Sequence, residues 1–197
     1  MKKWQKIVWI LASYILLVAL GYLTERSNFF QLFALFAALF AGYWWISKHK
    51  NAFNLKQIII VGLLFRVSLL LMTPNLSDDF WRFIWDGRLL SAGNNPYLYL
   101  PEVSRDLPEV KALSLDGTVY ENLNSKTYYT VYPPLNQAVF GIAAALGQQN
   151  IASEIFVLRM LVILAELATM LLLSKILTAR RKPLNRHVVC IQPVSHC

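Results

Sequence analysis

Ile155 to Leu177 reads IFVLRMLVILAELATMLLLSKIL, a stretch of twenty-three residues that is apolar at almost every position. A soluble helix carries its apolar residues as a stripe, three and four apart; an unbroken run asks for an apolar solvent on every side. At about 1.5 Å per residue the run extends roughly 35 Å, enough to cross a bilayer. Arg159 and Glu166 interrupt it. Seven residues apart, they fall on nearly one helix face and must point into a bundle or a wet cavity, because an unpaired charge in lipid is costly. A substrate or phosphate site is one reading. An interhelical structural pair is the other, and the absence of a polar cluster around either residue favours it.

The same pattern extends outward along the chain. Ile7 to Leu23 contains no charge and spans roughly 26 Å as a helix. Behind Met1-Lys2-Lys3 it has the look of a signal peptide, but further apolar segments and the lack of a small-residue cleavage site favour an uncleaved anchor. Phe29 to Ile46 ends in Tyr43-Trp44-Trp45, an aromatic cluster suited to the headgroup level. Ile58 to Met72 is shorter, carries Arg66, and is closed by Pro74; Arg66 is near enough to its end to snorkel to the outer interface. Ala138 to Leu146 is too short to cross as a regular helix. With 56% hydrophobic and 15% charged residues among 197, the expected fold is all-α. It is a polytopic transmembrane helical bundle with a long extracytoplasmic loop containing short helices.

A formal charge of +8 would suit a nucleic-acid partner if the bases were clustered on a surface. They are not. Lys2, Lys3 and Lys6 precede the first run, Lys48, Lys50 and Lys56 separate the second from the third, and Arg180, Arg181, Lys182 and Arg186 follow the last. Such flanking charges orient helices, and they predict a cytoplasmic amino terminus; the expected location is multi-pass in a bacterial inner membrane. Residues 1–72 then hold three transmembrane helices, and residues 73–135 form an outer loop in which acids outnumber bases. Residues 136–178 hold a short or re-entrant helix and a transmembrane helix, and residues 179–197 form a basic cytoplasmic tail. Cys190 and Cys197 lie at the extreme end, and neither they nor the scattered histidines suggest a metal centre.

Chemistry concentrates in Ser77-Asp78-Asp79-Phe80-Trp81-Arg82-Phe83-Ile84-Trp85-Asp86-Gly87-Arg88. Ser77 is a plausible helix cap, two carboxylates suit the positive end of the helix dipole, and Gly93 provides a stop after about Ser91. Asp79, Arg82 and Asp86 share a face; Asp78 and Arg82 are spaced to pair. Phe80, Trp81 and Trp85 offer an aromatic flank for headgroups or a sugar ring. A carboxylate beside guanidinium groups serves glycosyl transfer, in which an acceptor hydroxyl loses a proton and a leaving phosphate gains charge. An amphipathic interfacial helix with hydrated charges is the plainer alternative.

This segment is followed by Gly93-Asn94-Asn95-Pro96-Tyr97 and later by Tyr132-Pro133-Pro134-Leu135. The ordered set resembles the early part of the polyprenyl-phosphate-mannose-dependent mannosyltransferases of the GT-C superfamily, over about Arg66 to Leu177. The resemblance implies an inverting mannosyl transfer from a polyprenyl-phosphate sugar, a co-substrate rather than a cofactor, to a glycan or lipid acceptor. It makes Asp78 or Asp79 the catalytic acid residue and Arg82 and Arg88 the phosphate contacts. Asp86 would organise the arginines, Asn95, Tyr97 and Tyr132 would line the cavity, and Glu166 matches a position where an acid is common. Some relatives use a divalent cation, which the outer acids could hold. Phe80-Trp81 departs from the usual Ile-Tyr, and two helices precede the usual start; both bear on the acceptor more than on the reaction.

Asn75-Leu76-Ser77 has the form of a glycosylation site, but lies too close to the membrane. Beyond Leu177 the pattern fades, and codons for Val189 to Pro193 read one nucleotide out of frame can spell Tyr-Ala-Phe-Asn-Pro, the opening of the next helix the resemblance implies. A frameshift that leaves an inactive amino-terminal fragment is therefore expected. A non-catalytic transporter or assembly subunit is the rival function; it would more naturally place its charges at the bilayer midplane.

Overall fold

The computed structural model describes residues 1–49, 52–115 and 117–181. Among them there are helices and no strands. The long elements are α1 (Lys3–Tyr22), α2 (Phe29–Ser47), α3 (Leu55–Ser68), α4 (Asp79–Ser91), α8 (Pro134–Gly147) and α9 (Ile151–Arg181). Between α4 and α8 come a 3-10 turn at Pro96–Leu98 and the short helices α5 (Pro101–Ser104), α6 (Pro108–Lys111) and α7 (Thr118–Asn122). Three helices are long and apolar enough to cross a membrane: α1, α2 and the Ile151–Ala179 part of α9. This is an all-α membrane protein. The tail from residue 182 onward, including the frameshift expectation, lies outside the described residues.

The helix of the third apolar run starts before the run, at Leu55, and stops four residues short of Met72. Asn54 and Gln57 form a reciprocal capping box that starts α3 at Leu55, and the helix ends at Ser68. Its fourteen residues reach about 21 Å.

Side-chain bonds between helices fix which ends lie together. Trp9 Nε1 donates to Gly42 O at 2.9 Å and joins α1 to α2, and Tyr22 Oη donates to Ser68 O at 2.8 Å and joins α1 to α3. Lys6 sits over the Phe53 ring, so the amino terminus and the α2–α3 connection share one end. At the opposite end Asn75 Nδ2 donates to Thr24 O at 2.6 Å, tying the α1–α2 connection to the segment before α4. Asn75 is thus engaged within the fold.

The long loop is a packed unit. Phe80, Ile84, Trp85 and Leu89 of α4 form a core with Val110, Leu115, Val119 and Leu123 of the loop and Ile155 of α9. Phe80 and Trp85, read from the sequence as a flank for headgroups or sugar, are buried in this core; Trp81 is half-buried against it. On its other side α4 presses on α8. A Cβ at Gly87 would lie 2.4 Å from Phe140 O, so only glycine permits this approach, and the Phe83 and Phe140 rings stack beside it at 4.4 Å. Gln148 and Gln149, both left-handed (φ 52° and 61°), turn the chain from α8 into α9.

Candidate active site

The site begins at the first turn of α4. Asp78, not Ser77, occupies the cap position, while Ser77 Oγ accepts a bond from Asp79 N at 3.3 Å. Asp78 pairs with Arg26 from the α1–α2 connection at 2.5 Å. Its expected pairing with Arg82 does not form. Asp79 is exposed, and its Oδ1 accepts a bond from Asn124 Nδ2 at 3.1 Å. No cation pairs with Asp79 among the described residues.

One turn on, Arg82 and Asp86 form a buried pair at 2.8 Å, with side chains 3% and 0% exposed. Arg82 Nη1 also donates to Ser125 O at 3.2 Å and Tyr128 O at 2.9 Å. Asp86 Oδ2 accepts bonds from Thr130 Oγ1 at 2.5 Å and Gln137 Nε2 at 2.8 Å. This network pins residues 124–130 over the start of α4 and thereby presents Asn124 to Asp79. Arg82, Asp86, Thr130 and Gln137 are all buried, so each bond among them counts more than it would at the surface.

Arg88 is equally buried. Its Nε and Nη2 grip Glu154 at 2.9 and 3.0 Å. Nη1 donates to the carbonyls of Leu113 and Ser114, and Nη2 to that of Gln149. All its N–H groups have protein partners, which leaves none for a phosphate. Asp86 therefore organises Arg82 alone, and Glu154 holds Arg88.

Asn95, Tyr97 and Tyr132 come together beside α4. Asn95 Oδ1 accepts from Tyr97 N at 3.1 Å, and Tyr97 Oη donates to Tyr132 O at 2.5 Å. The Tyr132 ring meets Phe83 and Phe140 edge-on at 5.1 and 5.5 Å. Burial first, then the negative charges of Asp79 and Asp86, hold the Tyr132 phenol above its ordinary value.

Glu166 lies apart from this group, on the membrane-crossing part of α9, where Arg66 of α3 binds it through Nε and, at 3.0 Å, through Nη2. The interhelical pair anticipated for Glu166 exists, with Arg66 as its partner. Arg66 turns inward to this acid instead of snorkelling outward. Arg159 pairs with no acid among the described residues; its Nη1 donates to Leu69 O at 3.1 Å. Arg66, Glu166 and Arg159 line a cavity of about 540 Å³ between α3, α4, α8 and α9, whose remaining wall is largely apolar.

Sequence reasoning missed Asn124, Thr130, Gln137 and Glu154. Gln137 left a signal: α8 has no charged residue and only Asn136 and Gln137 as polar side chains. The other three partners lie more than forty residues from the α4 groups they bind, and no local spacing points to them. No cluster of three or more His, Cys, Asp or Glu side chains is arranged to hold a metal ion among the described residues.

Residues 8–191 match the model of the MptA_B family, described as alpha-(1->6)-mannopyranosyltransferase, N-terminal domain. No curated protein and no solved structure matches the chain.

Proposed function

This chain belongs to the MptA_B family of alpha-(1->6)-mannopyranosyltransferases, and from that premise we propose that Asp79 is the general base of a mannosyl transfer at the outer membrane face. The donor is a polyprenyl-phosphate-linked mannose, and the acceptor is a glycan or lipid hydroxyl. In a single displacement the acceptor oxygen bonds to the anomeric carbon as the bond from that carbon to the phosphate oxygen breaks. The acceptor proton passes to the Asp79 carboxylate, and the bonding electrons leave with the phosphate.

One observation carries the choice between the two carboxylates. Asp78 is neutralised by Arg26 at 2.5 Å, whereas Asp79 is exposed and is steadied by the neutral amide of Asn124. A base must present an oxygen to its proton donor, and the Arg26 guanidinium stands against the Asp78 carboxylate. Asp79 is the more exposed of the two and carries no ion pair among the described residues. Arg82 and Asp86 act from beneath, by holding the segment that carries Asn124.

The outer placement is supported by which ends the helices share. Lys2, Lys3 and Lys6 lie at the end of the α2–α3 connection, near Lys48 and Lys56, and the α4 site lies at the opposite end with the α1–α2 connection. Positive residues favour the cytoplasmic side, so the carboxylates fall outside.

Membranes containing the full-length protein, supplied with radiolabelled mannosyl-phosphoryl polyprenol, test the reading. Asp79→Asn is expected to lower transfer by about 10²–10⁴-fold, the usual reach of general base catalysis, and Asp78→Asn by far less. Equal transfer by wild type and the Asp78→Asn, Asp79→Asn double variant would defeat it.

A further inference from the structure

Four arginines lie on α3, α4 and the Ile151–Ala179 part of α9: Arg66, Arg82, Arg88 and Arg159. Three have a carboxylate to themselves, Glu166, Asp86 and Glu154 respectively. Arg159 has none among the described residues. It spends one N–H on the Leu69 carbonyl at the end of α3, and its Nε is buried without a partner. An uncompensated guanidinium on a membrane helix costs several kcal/mol unless an anion or water meets it. The acid seven residues along the same helix is already bound by Arg66 through both oxygens.

The surroundings of Arg159 narrow the identity of that anion. It lines the cavity of about 540 Å³ whose wall includes Leu69, Leu70, Phe80, Phe83, Phe140 and Val162. That volume falls within the roughly 300–1,000 Å³ typical of small-ligand sites. One unpaired cation in a largely apolar cavity against the membrane-crossing helix α9 fits a single anionic group on an apolar chain. Phe80 and Phe83 also belong to the first turns of α4, the helix that begins with Asp79, so the cavity adjoins the carboxylate helix.

We propose that this cavity seats the phosphate and first isoprenoid units of the lipid-linked donor, with Arg159 as the phosphate contact. The assignment rests on the donor reading above and adds the residue that recognises the donor's charge. Arg66 and Glu166, the latter two turns along α9, cancel each other, so the charged groups lining the cavity leave a net positive charge at Arg159 that an anionic ligand neutralises.

The test is binding, independent of catalysis. The protein is reconstituted in phosphatidylcholine nanodiscs and titrated with farnesyl phosphate, with farnesol as the uncharged control and added phosphatidylglycerol as a competing anionic lipid. Wild type is expected to bind farnesyl phosphate more tightly than farnesol. Arg159→Gln is expected to weaken farnesyl phosphate about tenfold or more, as loss of a charge-assisted hydrogen bond implies, and to leave farnesol unchanged. Arg159→Lys, which keeps the charge, should retain most of the affinity and guards against misfolding of the glutamine variant. Unaltered farnesyl phosphate binding by Arg159→Gln, or displacement by phosphatidylglycerol at equal concentration, overturns the assignment and leaves the mannosyltransferase reading intact. No binding of farnesyl phosphate by wild type overturns both the assignment and the polyprenyl donor.

Discussion

Helices α2 and α4 invert the rule learned from soluble proteins. In α2, nineteen residues with no charge bury none of their side chains within the protein. In α4, thirteen residues that include two acids and two arginines bury eight, Arg82, Asp86 and Arg88 among them. The apolar helix addresses lipid, whereas the charged helix is enclosed because each enclosed charge has a partner. Hydropathy therefore reports which solvent a segment meets, and pairing reports whether it belongs inside.

The sharpest way to break this contrast is to remove a partner from the charged helix. Glu154→Leu leaves Arg88 buried without its anion, a loss expected to cost about 3–5 kcal/mol. Thermal unfolding in detergent measures it, and stability equal to wild type would mean that Arg88 does not depend on pairing. A charge placed in α2 has no such partner to find. Phe36, half exposed in that helix, tests this: Phe36→Lys should make insertion less favourable by about 2.5–3.5 kcal/mol, scored by membrane-insertion assay, while Phe36→Leu should insert as wild type does.

Glycines draw the same distinction at smaller scale. Gly87→Ala would place a methyl group 2.4 Å from Phe140 O and should destabilise by about 1–3 kcal/mol. A Cβ at Gly42 of α2 meets nothing nearer than Trp9 Nε1 at 3.5 Å, so Gly42→Ala should be neutral or mildly stabilising. The smallest effect concerns pH. The raised Tyr132 phenol favours the protonated fold, so its contribution is complete below about pH 10, the ordinary tyrosine value. It is lost as pH climbs through the higher folded value. Tyr132→Phe should blunt that alkaline loss of stability.

The membrane helices and α4 were legible because each is written locally. Unbroken apolar runs marked α1, α2 and α9, and the interval from the paired aspartates to Gly93 marked α4 within a residue. The partners of Arg82 were not legible. Asp78 and Asp86 stand four residues to either side of it, and helix spacing favours neither. Burial decides: Asp86 faces Thr130 and Gln137, whereas Asp78 faces outward to Arg26. Arg88 and Glu154 lie sixty-six residues apart, and Arg66 and Glu166 one hundred. Such pairs arise only when the bundle assembles.

Arg88 also has a mechanical consequence. Reaching from α4, it holds both Glu154 at the root of α9 and the carbonyl of Gln149 in the left-handed turn behind α8. With α8 wedged against Gly87, these three helices behave as one stiff block, and tilting one tilts them all. Helix α3 meets that block mainly through Arg66 and the Leu69 carbonyl. It is the wall of the cavity tied to the block by the fewest side-chain bonds.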